Sequence, residues 1–215
     1  LTSAVKAPAR DKSRARTAML GDIKSGLMYV GRSRMVLVLI ILGLLTTLLA
    51  QPFRFILPVF VVDVYGKGPE SMGLLVTITG VGALIGSLWI ASIGKWHRGL
   101  LLLGSGLVSG VALLLVASIP VYLAAAGIMI LLGLGDAGRQ TLNQVMIMEE
   151  VDDEYRGRVM SIFMMIWGMM PLGVLPAGLL AEAVSGQFAV GVMATLLILV
   201  TFVLWATQKQ LRNHM

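Results

Sequence analysis

A stripe of polar residues in the fourth apolar segment is the part of the sequence best suited to chemistry. It consists of one acid, one base and three amides at positions i, i+3, i+4, i+7 and i+8: Asp136, Arg139, Gln140, Asn143 and Gln144. On an α-helix these positions share one face. A charged side chain that faced lipid would cost at least about 2.5 kcal/mol. We therefore expect the stripe to face a protein interior or a water-filled cavity, with Arg139 close enough to Asp136 to pair with it.

Two interpretations of the stripe stay open. In the first, it lines a pathway for a substrate or for protons, and Asp136 is the candidate proton carrier. In the second, the acid–base pair and the amides form a buried network that only fixes helix packing. The chain has no cysteine, and His97 and His214 are too distant in the sequence to suggest a metal site. We expect no metal, no cofactor and no catalytic residue.

A second polar cluster lies in the first apolar segment and consists of Gln51, Arg54 and, later, Asp63. Arg54 follows Arg34 by a length of helix of about 30 Å. It can therefore sit at the outer membrane surface with its charge in water. The alternative is that Gln51 and Arg54 line a cavity.

The elements that must position these residues are long apolar helices. Of 215 residues, 57% are hydrophobic and 13% are charged, whereas a soluble domain has about 25% charged residues. Roughly 20 apolar residues cross a bilayer as a helix, and six segments are long enough. We predict an all-α membrane protein with a basic lead-in at 1–34, a bundle at 35–206 and a tail at 207–215. The predicted spans are 35–61, 71–93, 100–119, 121–148, 159–182 and 188–206.

The positions of the basic residues orient these spans. If the amino terminus is cytoplasmic, the outer side holds only Arg54 and Lys67, and Arg139 lies within span four. The remaining Lys and Arg residues are then all cytoplasmic, which is the positive-inside pattern. The sequence therefore predicts that both termini are cytoplasmic. The net charge of +6 reflects this topology, and we expect the bilayer, and not nucleic acid, as the partner.

The lead-in carries apolar residues at near-helical spacing between Ala18 and Val30. It is either a helix on the membrane surface, with its basic residues near anionic headgroups, or a solvated linker with a short helix.

Small residues in spans two and five indicate close helix packing. Span two contains the GxxxG pair Gly82 and Gly86, which lets a neighbouring helix approach closely. Span five is rich in glycine and proline at Gly168, Pro171, Gly173, Pro176 and Gly178. The two spans hold equivalent positions if the bundle consists of two inverted three-helix repeats. Ordinary packing within the bundle is the alternative explanation of the GxxxG pair.

Several stretches resemble one family of membrane proteins. They are DIKSGLMYVGRSR before span one, DVYGKGPESMGLLVTITGVGALIGSL into span two, GKWHRG after span two, EEVDDEYRGRVMSIF before span five and GMMPLGVLPAG within it. Together they make the chain resemble the carboxy-terminal half of a major facilitator superfamily transporter. The resemblance is greatest to the bacterial drug-efflux branch that includes macrolide and siderophore exporters.

The resemblance implies a twelve-helix transporter of two six-helix halves in the bacterial inner membrane. It implies that spans one and four line the cavity, that spans two and five face an amino-terminal half, and that spans three and six face lipid. The implied activity is efflux of a small molecule, such as a drug or a siderophore, with proton coupling.

The loop after span two departs from the family pattern. Gly94 and Arg98 keep a glycine and a base, but the aspartate that the family has in this gating loop is absent. The charged cluster before span five is therefore the better gate candidate: Asp152, Asp153, Glu154, Arg156 and Arg158. A solvated loop with topology anchors is the alternative for these residues.

Two other functions compete with transport. A membrane-embedded enzyme would need a catalytic group of paired acids, histidines or a serine-based dyad at membrane depth. A non-transporting scaffold or assembly subunit would not need the polar stripe.

Overall fold

The computed structural model describes residues 12–94 and 97–212, with side chains for 21–94 and 97–211. In that part of the chain every regular element is helical, which confirms the predicted all-α class. Predictions that involve residues 1–11, Lys95, Trp96 or 213–215 lie outside the described residues.

The helices follow one another with short connections. Within the described residues they are α1 (Lys12–Arg32), α2 (Arg34–Ala50), α3 (Pro52–Val59), a π-helical turn (Phe60–Val64), α4 (Pro69–Ile93), α5 (Arg98–Ser118), α6 (Tyr122–Glu150), α7 (Asp153–Gly168), α8 (Pro171–Ala183), α9 (Gly186–Thr207) and α10 (Lys209–Arg212).

Six segments are long and apolar enough to cross a membrane, as predicted. Span one is Arg34–Val64, span two Pro69–Ile93, span three Arg98–Ser118, span four Tyr122–Glu150, span five Asp153–Ala183 and span six Gly186–Thr207. The largest difference from the prediction is at span five, whose helix begins at Asp153 and not near Val159. Asp153 and Glu154 lie in the first turn of this helix, where acidic side chains are stabilising. A prediction based on apolar segments does not include these two charged residues.

Span one is interrupted where Pro52 lacks the backbone N–H that would bond to the Leu48 carbonyl. Helix α2 ends at Ala50 and α3 starts at Pro52. Span five packs against this break, because a side-chain carbon at Gly173 would overlap the Leu48 carbonyl. The glycine therefore lets α8 lie directly against the backbone of span one.

Span four is the centre of the bundle, and glycines bring its backbone close to its neighbours. A side-chain carbon at Gly133 would overlap the Thr79 carbonyl of span two. Small residues on both sides repeat this arrangement, with Gly82 against Ile130, Gly86 against Leu134, Gly135 against Ser109, and Gly138 against Ser105. In a membrane such close approach is a main source of helix association, since lipid is as apolar as the side chains.

Spans two and five expose large apolar side chains. The exposed set includes Val81, Leu84, Leu88 and Trp89 in span two, and Met164, Trp167, Leu172, Leu175 and Leu179 in span five. One face of span three is buried between spans four and six. Its exposed face, with Val111 and Leu115, is the part that can contact lipid.

Candidate functional site

The stripe on span four forms a buried acid–base pair near the middle of the helix. The Asp136 side chain lies one helical turn from Arg139, and Arg139 Nη2 donates to Asp136 Oδ1 at 3.2 Å. The two residues are 7% and 3% exposed. A buried pair of this kind persists only when further hydrogen bonds satisfy its remaining polar atoms.

Those further hydrogen bonds come from two other spans. Ser109 of span three donates its hydroxyl to Asp136 Oδ1 at 3.2 Å. Arg139 Nη1 donates to Thr46 Oγ1 of span one at 2.6 Å, and the Thr46 hydroxyl in turn donates to the Gly43 carbonyl at 3.2 Å. Residues of three spans therefore hold the pair in place. Two of its hydrogen-bond partners, Ser109 and Thr46, are hydroxyl groups, which can exchange protons.

Two cavities meet along the stripe. The larger has a volume of about 580 Å³ and lies between spans one, two and four; Asp136 and Gln140 are on its wall. The smaller, of about 220 Å³, lies between spans one, four and five, and its lining includes Arg139, Gln140, Asn143 and Gln144. The stripe thus faces cavities as well as protein, and Gln140 borders both cavities.

Not every polar atom of the stripe is satisfied. Arg139 Nε and Asn143 Oδ1 are buried without a hydrogen-bond partner among the described residues. Buried polar atoms in this condition usually contact water or a ligand, and both side chains border the smaller cavity.

The structure separates the two polar residues predicted in span one. Arg54 is exposed and lies on the wall of the larger cavity together with Asp136, so its position matches the cavity-lining alternative. Gln51 is 3% exposed and belongs to the lining of neither cavity. Its backbone N–H donates to the Thr47 carbonyl at the end of α2.

Comparison with known proteins agrees with this architecture. A family model described as Major Facilitator Superfamily matches residues 37–213. The chain belongs to the Major Facilitator Superfamily. This is a family of membrane transporters and not of enzymes. The chain is also 28% identical over 162 residues to the Staphyloferrin A transporter of Staphylococcus aureus (strain NCTC 8325 / PS 47); the match covers 74% of this chain and 40% of that protein.

The loop after span two, where the major facilitator resemblance predicted a gate, connects spans two and three. Gly94 has φ +70°, a conformation that glycine adopts without strain. Arg98 Nε donates to the Gly94 carbonyl at 3.1 Å, and Arg98 forms an ion pair with Glu149 at 2.5 Å. Arg98 therefore links the start of span three to the end of span four.

The second gate candidate, before span five, is docked against α1. Tyr29 of α1 stacks on Tyr155 with ring centroids 4.7 Å apart, and its hydroxyl donates to Asp152 Oδ2 at 3.1 Å. Arg158 donates to Asp22 at 3.0 Å, and its guanidinium lies over the Tyr155 ring. The described part of the lead-in is thus a helix packed on span five, an arrangement that neither sequence-based alternative specified.

The other charged residues of this cluster remain near the surface. Arg156 pairs with Asp153 at 2.6 Å and donates to the Met148 carbonyl at 3.2 Å. Glu154 is exposed.

The glycines and prolines predicted to pack helices divide into two groups. Gly82, Gly86 and Gly173 approach other spans of this chain closely, which matches packing within the bundle for the GxxxG pair. Four residues of span five are exposed and face outward from the bundle: Gly168, Pro171, Pro176 and Gly178. Any packing role for these four needs a neighbour outside the described chain.

Sequence reasoning missed the two hydroxyls that hold the central pair. Thr46 lies in an apolar stretch of α2, and Ser109 follows Ser105 by one helical turn on the face of span three that meets span four. Polar residues at i and i+4 in an otherwise apolar span are a signal for an interhelical contact, and this signal could have identified the contact face of span three, although not its partner.

Proposed function

We propose that this chain is the carboxy-terminal half of a proton-coupled secondary transporter that exports a small molecule, such as a drug or a siderophore. The observation that carries the proposal is the buried Asp136–Arg139 pair halfway along span four, on the border of a cavity of about 580 Å³. A charged pair at this depth is costly in a membrane, and such residues commonly mark substrate or proton pathways.

The pair supplies the elements of proton coupling. Asp136 is the group that would take up and release a proton, and Arg139 is its ion-pair partner. Protonation would weaken the ion pair, and Arg139 would keep its hydrogen bond to Thr46 on span one. Loss or gain of a proton would in this way alter the contact between spans one and four.

An amino-terminal half completes the transporter in this proposal. The exposed apolar faces of spans two and five are suited to pack against another helical bundle, as the resemblance implies. The chain covers 40% of the length of its staphylococcal relative, which supports its being about half of such a protein. Transport would then occur by rocking of one half against the other around a site between them.

The contacts at the predicted cytoplasmic end would act as gates. The Arg98–Glu149 pair joins spans three and four, and the Tyr29–Tyr155 stack joins α1 to span five. Both consist of partly exposed polar and aromatic groups, which can separate at modest cost. We place the protein in the bacterial inner membrane with both termini in the cytoplasm, on the basis of the charge distribution.

A transport assay on the full-length protein tests the proposal. The protein is reconstituted into liposomes that contain a pH-sensitive dye, and a panel of antibiotics and iron-free siderophores is added. We expect at least one compound to produce protein-dependent proton movement. Asp136→Asn should abolish this movement at normal protein abundance, while exchange of the same compound without a gradient is retained.

The outcomes separate transport from the competing functions. Unchanged rates and an unchanged pH dependence in Asp136→Asn would remove this residue from the coupling mechanism. Failure of every compound to move, with the protein folded and correctly oriented, would favour a non-transporting scaffold.

A further inference from the structure

The larger cavity combines apolar walls with two charged residues. Its apolar lining includes Phe53 and Leu57 of span one, Val76 of span two, and Met129 of span four. Among the described residues that line it, the charged ones are Arg54 and Asp136. The volume of about 580 Å³ falls within the usual range for small-molecule sites, roughly 300–1,000 Å³.

The two charges are not equally available to a ligand. Asp136 is buried, and its Oδ1 atom already accepts hydrogen bonds from Arg139 and Ser109. Arg54 is exposed, and its side chain makes no ion pair or hydrogen bond with any other described residue. A ligand that enters the cavity therefore meets a free cation beside an acid that is already paired.

We infer that the cavity selects an amphipathic anion, in which a carboxylate binds Arg54 and an apolar body fills the space between Phe53, Val76 and Met129. This inference rests on the proposed function and names its substrate class. A guanidinium presents a planar pair of donors that match the two oxygens of a carboxylate. Apolar walls lower the local dielectric and strengthen this contact.

Other ligand charges fit the cavity less well. A cation would be repelled by Arg54 and could reach an acid only by breaking the Asp136–Arg139 pair. A neutral ligand would leave the Arg54 guanidinium unpaired in a partly apolar cavity. The anion is the class that satisfies Arg54 and leaves the central pair intact.

Photolabelling of the full-length protein in nanodiscs of neutral lipid tests this inference. The probe is 4-benzoylbenzoate, whose benzophenone group inserts into nearby C–H bonds. Its neutral methyl ester and a trimethylammonium analogue of the same shape serve as comparisons. Peptides that cover residues 50–57 and 129–141 are analysed by mass spectrometry. We expect the acid to label these peptides more strongly than the ester and the cation do.

Variants of Arg54 provide the decisive comparison. Arg54→Gln should reduce labelling by the acid about tenfold or more, because a hydrogen bond between charged groups is lost. Arg54→Lys should retain part of the labelling, and Arg34→Gln should retain all of it, since Arg34 is exposed outside the cavity lining. A melting temperature within a few degrees of wild type establishes that each variant is folded.

Two results would overturn the inference: stronger labelling by the cation than by the acid, or unchanged labelling by the acid in Arg54→Gln. Failure of the inference differs visibly from failure of the proposed function. If the transport panel yields a neutral or cationic substrate that Arg54→Gln moves at the wild-type rate, transport stands and anion selection falls. If the acid labels the cavity through Arg54 but no compound is moved, anion binding stands and transport falls.

Discussion

Replacement of Arg139 by alanine should destabilise the full-length protein severely. Arg139 is 3% exposed and donates to Asp136 at 3.2 Å and to Thr46 at 2.6 Å. The substitution removes both hydrogen bonds and leaves the Asp136 carboxylate buried with the Ser109 hydroxyl as its one partner among the described residues. Loss of one member of a buried pair costs about 3–5 kcal/mol.

Thermal unfolding followed by tryptophan fluorescence measures this effect. For a domain of this size, a loss of 3–5 kcal/mol corresponds to a decrease in Tm of roughly 6–20 °C. Asp136→Asn should be milder, since the asparagine side-chain carbonyl can still accept from Arg139.

Matched variants identify the cause. Arg54→Ala removes an arginine from the same region, but that arginine is exposed and its side chain pairs with none of the described residues, so stability should change by no more than about 0.5 kcal/mol. A double replacement of Asp136 and Arg139 by leucine and methionine should recover most of the lost stability, because it removes both buried charges together. A wild-type Tm for Arg139→Ala would refute the reasoning.

Three further predictions concern topology, packing and completeness. In the cysteine-free chain, a cysteine introduced at Lys67 should react with an impermeant thiol reagent from outside intact cells, whereas a cysteine at Asp153 should not. Both positions are exposed, so labelling at Asp153 from outside would show that the predicted orientation is reversed. Gly133→Ala should destabilise the protein by about 1–3 kcal/mol, because the added carbon overlaps the Thr79 carbonyl. Gly127 on the same helix has open space around it, so Gly127→Ala should be neutral or stabilise the protein by up to about 1 kcal/mol. Equal effects of the two substitutions on Tm would contradict the packing argument. The isolated 215-residue chain should be inactive or form homodimers after reconstitution, and gradient-driven uptake by a monomer of this chain would show that one half is sufficient.

The membrane spans could be predicted from the sequence because the apolar segments leave little choice. A helix with no charged side chain over some twenty residues satisfies its backbone internally and is stable in lipid. The prediction was least accurate at Asp153, where the helix continues beyond the apolar region into charged residues. Hydropathy marks the part of a helix that lies in lipid, and not the place where its hydrogen bonds begin.

The site was predicted in part. Helical periodicity is enough to bring Asp136 and Arg139 together, since both belong to one helix. The roles of Thr46 and Ser109 depend on which spans are neighbours, and no local pattern determines that. The contact between Tyr29 and Tyr155 is still less accessible to prediction, because the two residues are separated by most of the chain and both lie outside the predicted spans 35–61 and 159–182.

The short connection between α1 and span one has a mechanical consequence. Ser33 is the one residue between α1 and α2, and it caps α2 by accepting a hydrogen bond from the Val36 N–H. Because the two tyrosines attach α1 to span five, α1 connects the start of span one to the start of span five, which is distant in the sequence. Any tilt of span one must pull span five along or separate the aromatic rings. The strength of the contact between Tyr29 and Tyr155 therefore determines how far span one can move before span five no longer moves with it.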